Sequence, residues 1–237
     1  MVIIIRNYKI LIVDDEIEIC ELLKLYLENA NYDVKYCHNG EEALKLIKEY
    51  DPDLIILDVL LPDINGIDLC PNLRDITSAP IIFLSCKKQE YDKISGLEAG
   101  GDDYISKPFS PRELVARIKA NLRRESLSPF IIQDCDEPNI ELPTMTIDKN
   151  NHTVLIDDER ISLSVKEFEL LCFLAESPNK VFSVEDIYQR VWSEDGIGDI
   201  RTVMVHVRNL RKKIEKNPAR PRNIINIRGA GYMLKVD

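Results

Sequence analysis

The chain has 237 residues, 45% hydrophobic and 30% charged, with a formal net charge of −10. This is the composition of a soluble globular protein long enough for two domains, and no apolar run approaches the roughly 18–20 residues of a membrane span. Six scattered cysteines without a CxxC pair and three isolated histidines argue against a disulfide framework or a zinc site.

The opening "MVIIIRNYKILIVDDE" has no basic leader and no small-residue cleavage site, and Asp14 follows soon after, so a cytoplasmic protein with no membrane partner is expected. Short apolar runs then recur at 9–13, 33–37, 54–57, 81–85 and 103–106. Amphipathic stretches near 16–29, 40–49, 66–75, 88–99 and 111–124 lie between and after them. Five βα units in this order predict an α/β fold, a doubly wound five-stranded parallel sheet. Pro111 suits a first helical turn, with Ser110 as its cap. Pro71 removes an N–H inside the third helix, which is expected to kink or to start late.

Beyond residue 125 the pattern breaks. Residues 126–139, with two prolines and no period, read as a linker between a first domain at 1–125 and a second at 140–237. Short antiparallel strands are expected over 145–163, then helices near 165–176, 183–192 and 199–216, then a hairpin over 223–236 with glycines at its turn: an α+β domain. Charge divides the same way. Residues 1–125 carry net −7 and 126–200 net −11, whereas 201–237, with ten Lys and Arg against two Asp and Glu, carry net +8. A concentrated basic end on an acidic chain points to nucleic acid.

The stretch "DLIILDVLLP" places Asp58 at the end of a run reading as a strand buried on both faces, where a carboxylate is costly unless something holds it. In an open parallel sheet, sites form beyond the carboxyl ends of the strands. Asp14 and Asp15 follow the first strand, Asp58 the third, Ser85 the fourth and Lys107 the fifth, so all reach one edge. Clustered carboxylates need a positive charge, supplied by Lys107 or by a hard divalent cation; with no His or Cys among these residues, Mg²⁺ is favoured. A carboxylate can act as a nucleophile and form an acyl phosphate, whose oxygens Lys107 and a Ser85 hydroxyl would stabilise.

At the basic end, a helical wheel over 201–214 puts Val203, Val207, Leu210 and Ile214 on a core face. Arg201, Val205, Arg208 and Lys212 lie opposite, with Thr202, His206 and Asn209 on one flank. A helix apolar behind and basic and polar in front suits a major-groove reader.

Together "ILIVDDE", "IILDVLLPDING", Leu84-Ser85 and "GGDDYISKPF" resemble a response-regulator receiver domain. With the second half, the chain resembles the OmpR/PhoB class of two-component transcription regulators, over about 9–124 and 144–236. The resemblance implies that Asp58 accepts a phosphoryl group from a sensor histidine kinase. It implies Mg²⁺ ligation by Asp15, Asp58 and the Leu60 carbonyl, with Asp14 acting through water, and phosphate contacts from Ser85 and Lys107. Tyr104, with Ser85, occupies the switch position, and the Lys107–Pro108 peptide is expected cis. No enzymatic activity is implied beyond the protein's own phosphorylation and dephosphorylation.

The same resemblance implies a homodimer of the phosphorylated form. Its face comprises Ile94, Leu97 and Ala116, with charge pairs between protomers of Lys93 with Glu113, Asp103 with Arg117, and Glu98 with Lys119. The second half resembles a winged helix-turn-helix, with Arg228 at the wing tip aimed at a minor groove. Promoter DNA with direct-repeat half-sites, and RNA polymerase, are the partners this implies. A haloacid-dehalogenase-type phosphatase would need a second Asp two residues after the nucleophile, where Leu60 stands, and no GxGxxG supports a dinucleotide site.

Overall fold

The computed structural model describes residues 7–86, 90–126, 139–192 and 200–236. The chain divides into two compact units, Met1–Arg123 and Arg124–Asp237. The proposed linker at 126–139 lies almost wholly outside the described residues.

In the first unit, β1 (Lys9–Val13), α1 (Ile17–Glu28), β2 (Asp33–Cys37), α2 (Gly40–Tyr50), β3 (Leu54–Asp58), α3 (Gly66–Arg74), β4 (Ile81–Ser85), α4 (Glu90–Glu98), β5 (Asp103–Ser106) and α5 (Pro111–Ser126) alternate. The strands pair in parallel in the order β2-β1-β3-β4-β5. Successive side chains leave a strand on opposite faces, and the core is divided accordingly. Ile10, Ile12, Leu54, Ile56, Ile82 and Leu84 meet Leu23 and Leu27 of α1 and Leu114 and Ile118 of α5. Leu11, Val13, Ile55, Leu57, Ile81 and Phe83 meet Ala43 and Ile47 of α2 and Leu69 and Leu73 of α3. Both faces are covered, so the strands read as unbroken apolar runs. β1 pairs with both β2 and β3, so the winding reverses there and a crevice opens past the carboxyl ends of β1 and β3.

Asn39 caps α2 by accepting from Glu42 N, and Asn65 caps α3 by accepting from Ile67 N. α3 does not start late: it runs from Gly66 through Pro71, which is exposed. Arg74 at its end donates to the Gly100 carbonyl at 2.8 Å, to the Ala79 carbonyl and to the wholly buried Asp102. Asp102 also accepts from Ile81 N at 2.9 Å.

The second unit starts with an antiparallel meander, β6 (Ile140–Leu142), β7 (Met145–Asp148), β8 (Thr153–Ile156) and β9 (Glu159–Ile161). Then come α6 (Val165–Ala175), α7 (Val184–Val191), α8 (Arg201–Ile214) and the hairpin of β10 (Ile224–Ile227) and β11 (Gly231–Leu234). Capping boxes start two helices: Ser164 with Glu167 on α6, Ser183 with Asp186 on α7. α6 is buried from Lys166 to Cys172, so it is the central helix of this unit. Its core joins Leu170, Leu171 and Leu174 to Ile187, Val203, Val207, Leu210 and Ile224.

Candidate functional site

The reversal of winding at β1 brings Asp14 and Asp58 into one crevice, and β5 delivers Lys107 between them. Lys107 Nζ lies 2.7 Å from Asp58 Oδ2, 2.8 Å from Asp14 Oδ2 and 3.2 Å from Glu16 Oε1. Asp14, Asp58 and Lys107 are buried. Burial pushes the Asp14 carboxyl above its ordinary value, with the Lys107 hydrogen bond opposing it. Burial pulls the Lys107 ammonium the other way, but its bonds to Asp14 and Asp58 outweigh that and hold it above the usual lysine range. The lysine therefore supplies the positive charge that a carboxylate at the end of a buried strand requires.

Backbone contacts fix this arrangement. Lys107 N donates to the Ser85 carbonyl at 2.7 Å, and the Lys107–Pro108 peptide is cis. Leu60 N donates to Asp58 Oδ1 at 3.2 Å, and Gly66 N to the Val59 carbonyl at 2.9 Å. A Cβ on Gly66 would stand 2.1 Å from the Asp58 carbonyl oxygen, so only glycine lets the loop after β3 fold back this closely. His38 and Cys20 both reach the Asp14 carbonyl, at 3.0 and 3.3 Å.

The carboxylates that converge are not quite those expected. Oxygens of Asp14, Glu16 and Asp58 lie within 4.8 Å of one another, whereas Asp15 is exposed and outside the group. Asp14 turns inward, its Oδ1 accepting from Glu16 N at 3.0 Å, so the next side chain points out and the following one returns. Three hard oxygen donors fit Mg²⁺. Ser85 is buried at the end of β4. Tyr104 is also buried, its ring 6.2 Å from Phe83.

On α8 the core face is as expected, with Val203, Val207, Leu210 and Ile214 buried. The front is narrower. Thr202, Val205, His206 and Asn209, expected at the front and flank, are buried, and the open side carries Arg201, Met204, Arg208 and Lys212. His206 turns in because its ring meets Trp192 edge-on at 4.9 Å and its Nδ1 bonds the Thr202 carbonyl at 2.9 Å. Val205 is buried without belonging to the apolar cluster of this unit. Arg228 is exposed beside Gly229, whose φ is 75°.

Known proteins match this layout over most of its length. The model described as "Response regulator receiver domain" covers residues 10–119, and "Transcriptional regulatory protein, C terminal" covers 158–234. Transcriptional regulatory protein ResD of Bacillus subtilis is 43% identical over 230 residues, 96% of each chain. Transcriptional regulatory protein SrrA of Staphylococcus aureus is 42% identical over 233 residues, 96% of this chain and 95% of that one. The chain is an OmpR/PhoB-family response regulator.

Among solved structures, a mutant of RitR matches this regulator with a TM-score of 0.78 at 27% identity, over 98% of this chain and 100% of that one. DrrB, a Thermotoga maritima OmpR/PhoB homologue, matches with 0.51 at 34% over 97% and 100%. Among the regulator's described residues, no helix is long and apolar enough to cross a membrane.

On the regulator's α4–β5–α5 face, groups expected to pair across a dimer also meet within the single chain. Arg117, expected to reach Asp103 of a second protomer, bonds Asp103 of its own chain at 2.9 and 3.1 Å and Glu113 at 3.3 Å. One turn of α5 and the start of β5 put the two groups together without a partner. Leu97 is buried, Lys93, Ile94, Glu98 and Glu113 are half-buried, and Ala116 and Lys119 are exposed.

Several structural contributors escaped the sequence reading. Glu16 reads as a first-turn helix acid. Arg74 reads as a solvated helix end. Glu215 accepts from the amides of Arg222, Asn223 and Ile224 at 2.9 Å each and so seats the base of the wing on α8. The lone carboxylate in the basic run "RKKIEKNPARPRN" was the available signal for it. Arg211 completes that seat, donating to the Ile224 carbonyl at 2.8 and 3.0 Å.

Proposed function

We propose that the regulator is switched by transfer of a phosphoryl group from a sensor histidine kinase to Asp58, and that the phosphorylated form binds promoter DNA as a homodimer in the cytoplasm. The observation carrying this reading is the buried Lys107 ammonium held between Asp58 and Asp14 at the reversal of the sheet. An Asp58 oxygen attacks phosphorus, the bond to the donor imidazole breaks, and the imidazole leaves with the electron pair and is protonated. Lys107 and the Ser85 hydroxyl receive the phosphoryl oxygens. Asp14 and Asp58, with Glu16 or Asp15 and the Leu60 carbonyl, would hold Mg²⁺. When bound, the ion neutralises charge on those oxygens. In autodephosphorylation a water attacks phosphorus and loses its proton. The bond from phosphorus to Asp58 breaks and the carboxylate leaves with the electron pair, while Lys107 and Ser85 hold the same phosphoryl oxygens.

The α1 helix starts beside the pocket and exposes Ile17, Leu22, Leu25 and Tyr26, an apolar patch that suits a kinase delivering phosphohistidine to Asp58. On DNA, the open stripe of α8 serves the major groove and Arg228 the minor groove, on direct-repeat half-sites roughly 10–11 base pairs apart. RNA polymerase is the further partner such a promoter complex would meet. Intact-mass analysis after acetyl phosphate and Mg²⁺ tests the switch: the parent gains one phosphoryl group and Asp58→Asn gains none. Stoichiometric labelling of Asp58→Asn would overturn the assignment.

A further inference from the structure

The first turn of α6 holds charges that neither the pocket nor the open stripe of α8 uses. Lys166 is wholly buried. Its Nζ donates to Glu169 Oε2 at 2.9 Å and to the carbonyl of Val191, the last residue of α7, at 2.6 Å. The same ammonium lies 5.9 Å from the Trp192 ring centroid. Glu167, next in sequence, accepts from Ser164 N at 2.8 Å and from Lys213 Nζ at 2.6 Å. Two consecutive residues of α6 thus grip the end of α7 and the last turn of α8.

Stability does not account for the lysine. A cation in the first turn of α6 opposes that helix's dipole. A buried ion pair returns little net stability, and well-packed apolar residues of the same volume do as well or better. An ammonium on a named carbonyl does supply direction, because its hydrogen bonds have one satisfactory geometry whereas apolar contacts slide. The carbonyl it meets is one that α7 leaves open at its C-terminal end, where the dipole also favours a cation. Val191 precedes Trp192, and the Trp192 ring stands edge-on to His206 of α8 at 4.9 Å.

We propose that Lys166, with Glu169, is a positioning residue for DNA recognition. It holds the end of α7 and, through Trp192 and His206, sets the pitch at which α8 presents Arg201, Met204, Arg208 and Lys212. The inference rests on the reading of α8 as the groove helix. Because Lys166 has no exposed surface, its loss shows as lost discrimination between sequences rather than as a lost phosphate contact.

The test uses the full chain, a duplex selected from a random pool by the parent, and a scrambled duplex of equal length, by fluorescence anisotropy across a salt series. Lys166→Met/Glu169→Met keeps a cooperative melt. Its affinity for the scrambled duplex stays within about twofold of the parent and its salt slope is unchanged, since no phosphate contact is removed. Its affinity for the selected duplex falls about tenfold, the scale of one mismatched base pair. Trp192→Phe breaks the relay one step further on with the ion pair intact; it must show the same pattern, and it decides the matter if the double variant does not fold. Either folded variant discriminating like the parent overturns the proposal. Arg208→Ala separates the two levels. If it leaves the selected duplex bound as before, the reading of α8 falls and this inference with it. If it weakens binding while the α6 variants do not, only this inference falls.

Discussion

Lys107→Met removes the cation that the structure places among Asp14, Asp58 and Glu16. The carboxylate oxygens lie within 4.8 Å of one another, and the side chains of Asp14 and Asp58 are 1% and 6% exposed. Two unit charges at that separation, with an effective dielectric of about 20, repel by about 3.5 kcal/mol. Glu16, more than half exposed, is screened by water and adds little. Breaking a buried ion pair by removing one partner typically costs about 3–5 kcal/mol, so the two routes agree. The variant should therefore lose about 3 kcal/mol of unfolding free energy at pH 7 in a metal chelator.

The sign with pH follows from Asp14, whose carboxyl burial already raises. With Lys107 gone, the folded state binds that proton more tightly than the unfolded chain does. The deficit is full above the raised folded value and shrinks as pH falls toward the ordinary carboxylate range. Mg²⁺ at about 100 times its Kd should return about 2.7 kcal/mol. Urea unfolding followed by far-UV circular dichroism reads the loss. Trp192 fluorescence is the internal control, because the single tryptophan belongs to the second unit. A chelated Lys107→Met protein that unfolds at the parent's midpoint would refute the account of the pocket.

Arg74→Met should cost the first unit about 3–5 kcal/mol by stranding buried Asp102, and Arg74→Met/Asp102→Asn should recover at least half of that; additive losses would show the two groups act separately. Gly66→Ala drives a methyl into the Asp58 carbonyl, so it should lower stability by about 1–3 kcal/mol and slow labelling by acetyl phosphate, both measurable on one preparation. Arg117→Glu loses the bond to Asp103 and should weaken phosphorylation-promoted dimerisation in sedimentation; a normal dimer would place the interface on another face.

The pocket was legible because a parallel sheet has few places to put a carboxylate, and unbroken apolar strands make each polar residue at a strand end conspicuous. Asp58, Ser85 and Lys107 were therefore read correctly to the right edge. That Asp15 is exposed while Asp14 turns in was not legible, because strand alternation ends with β1 and the turn that follows decides which of two adjacent acids faces in. The α8 wheel gave the core face but not the flank, since period alone does not reveal Trp192 waiting beside His206. Arg74 and Lys166 were invisible for a shared reason: each looks like an ordinary helix-surface cation until a backbone carbonyl distant in sequence is brought to it. Arg117 and Asp103 were paired correctly by type, but fourteen positions of separation do not disclose that the two also meet within one chain.

Asp102 and Asp103 stand side by side at the head of β5, one gripped by Arg74 from α3 and the other by Arg117 from α5. A strand anchored from two helices at one end, with Lys107 in the pocket just beyond the other, is held against sliding along its own axis. Tyr104 comes directly after the anchors. If the pocket is the proposed switch, a signal along β5 is expected to travel as rotation of side chains and rearrangement of the loops around a stationary beam, with the sheet itself left out of the motion.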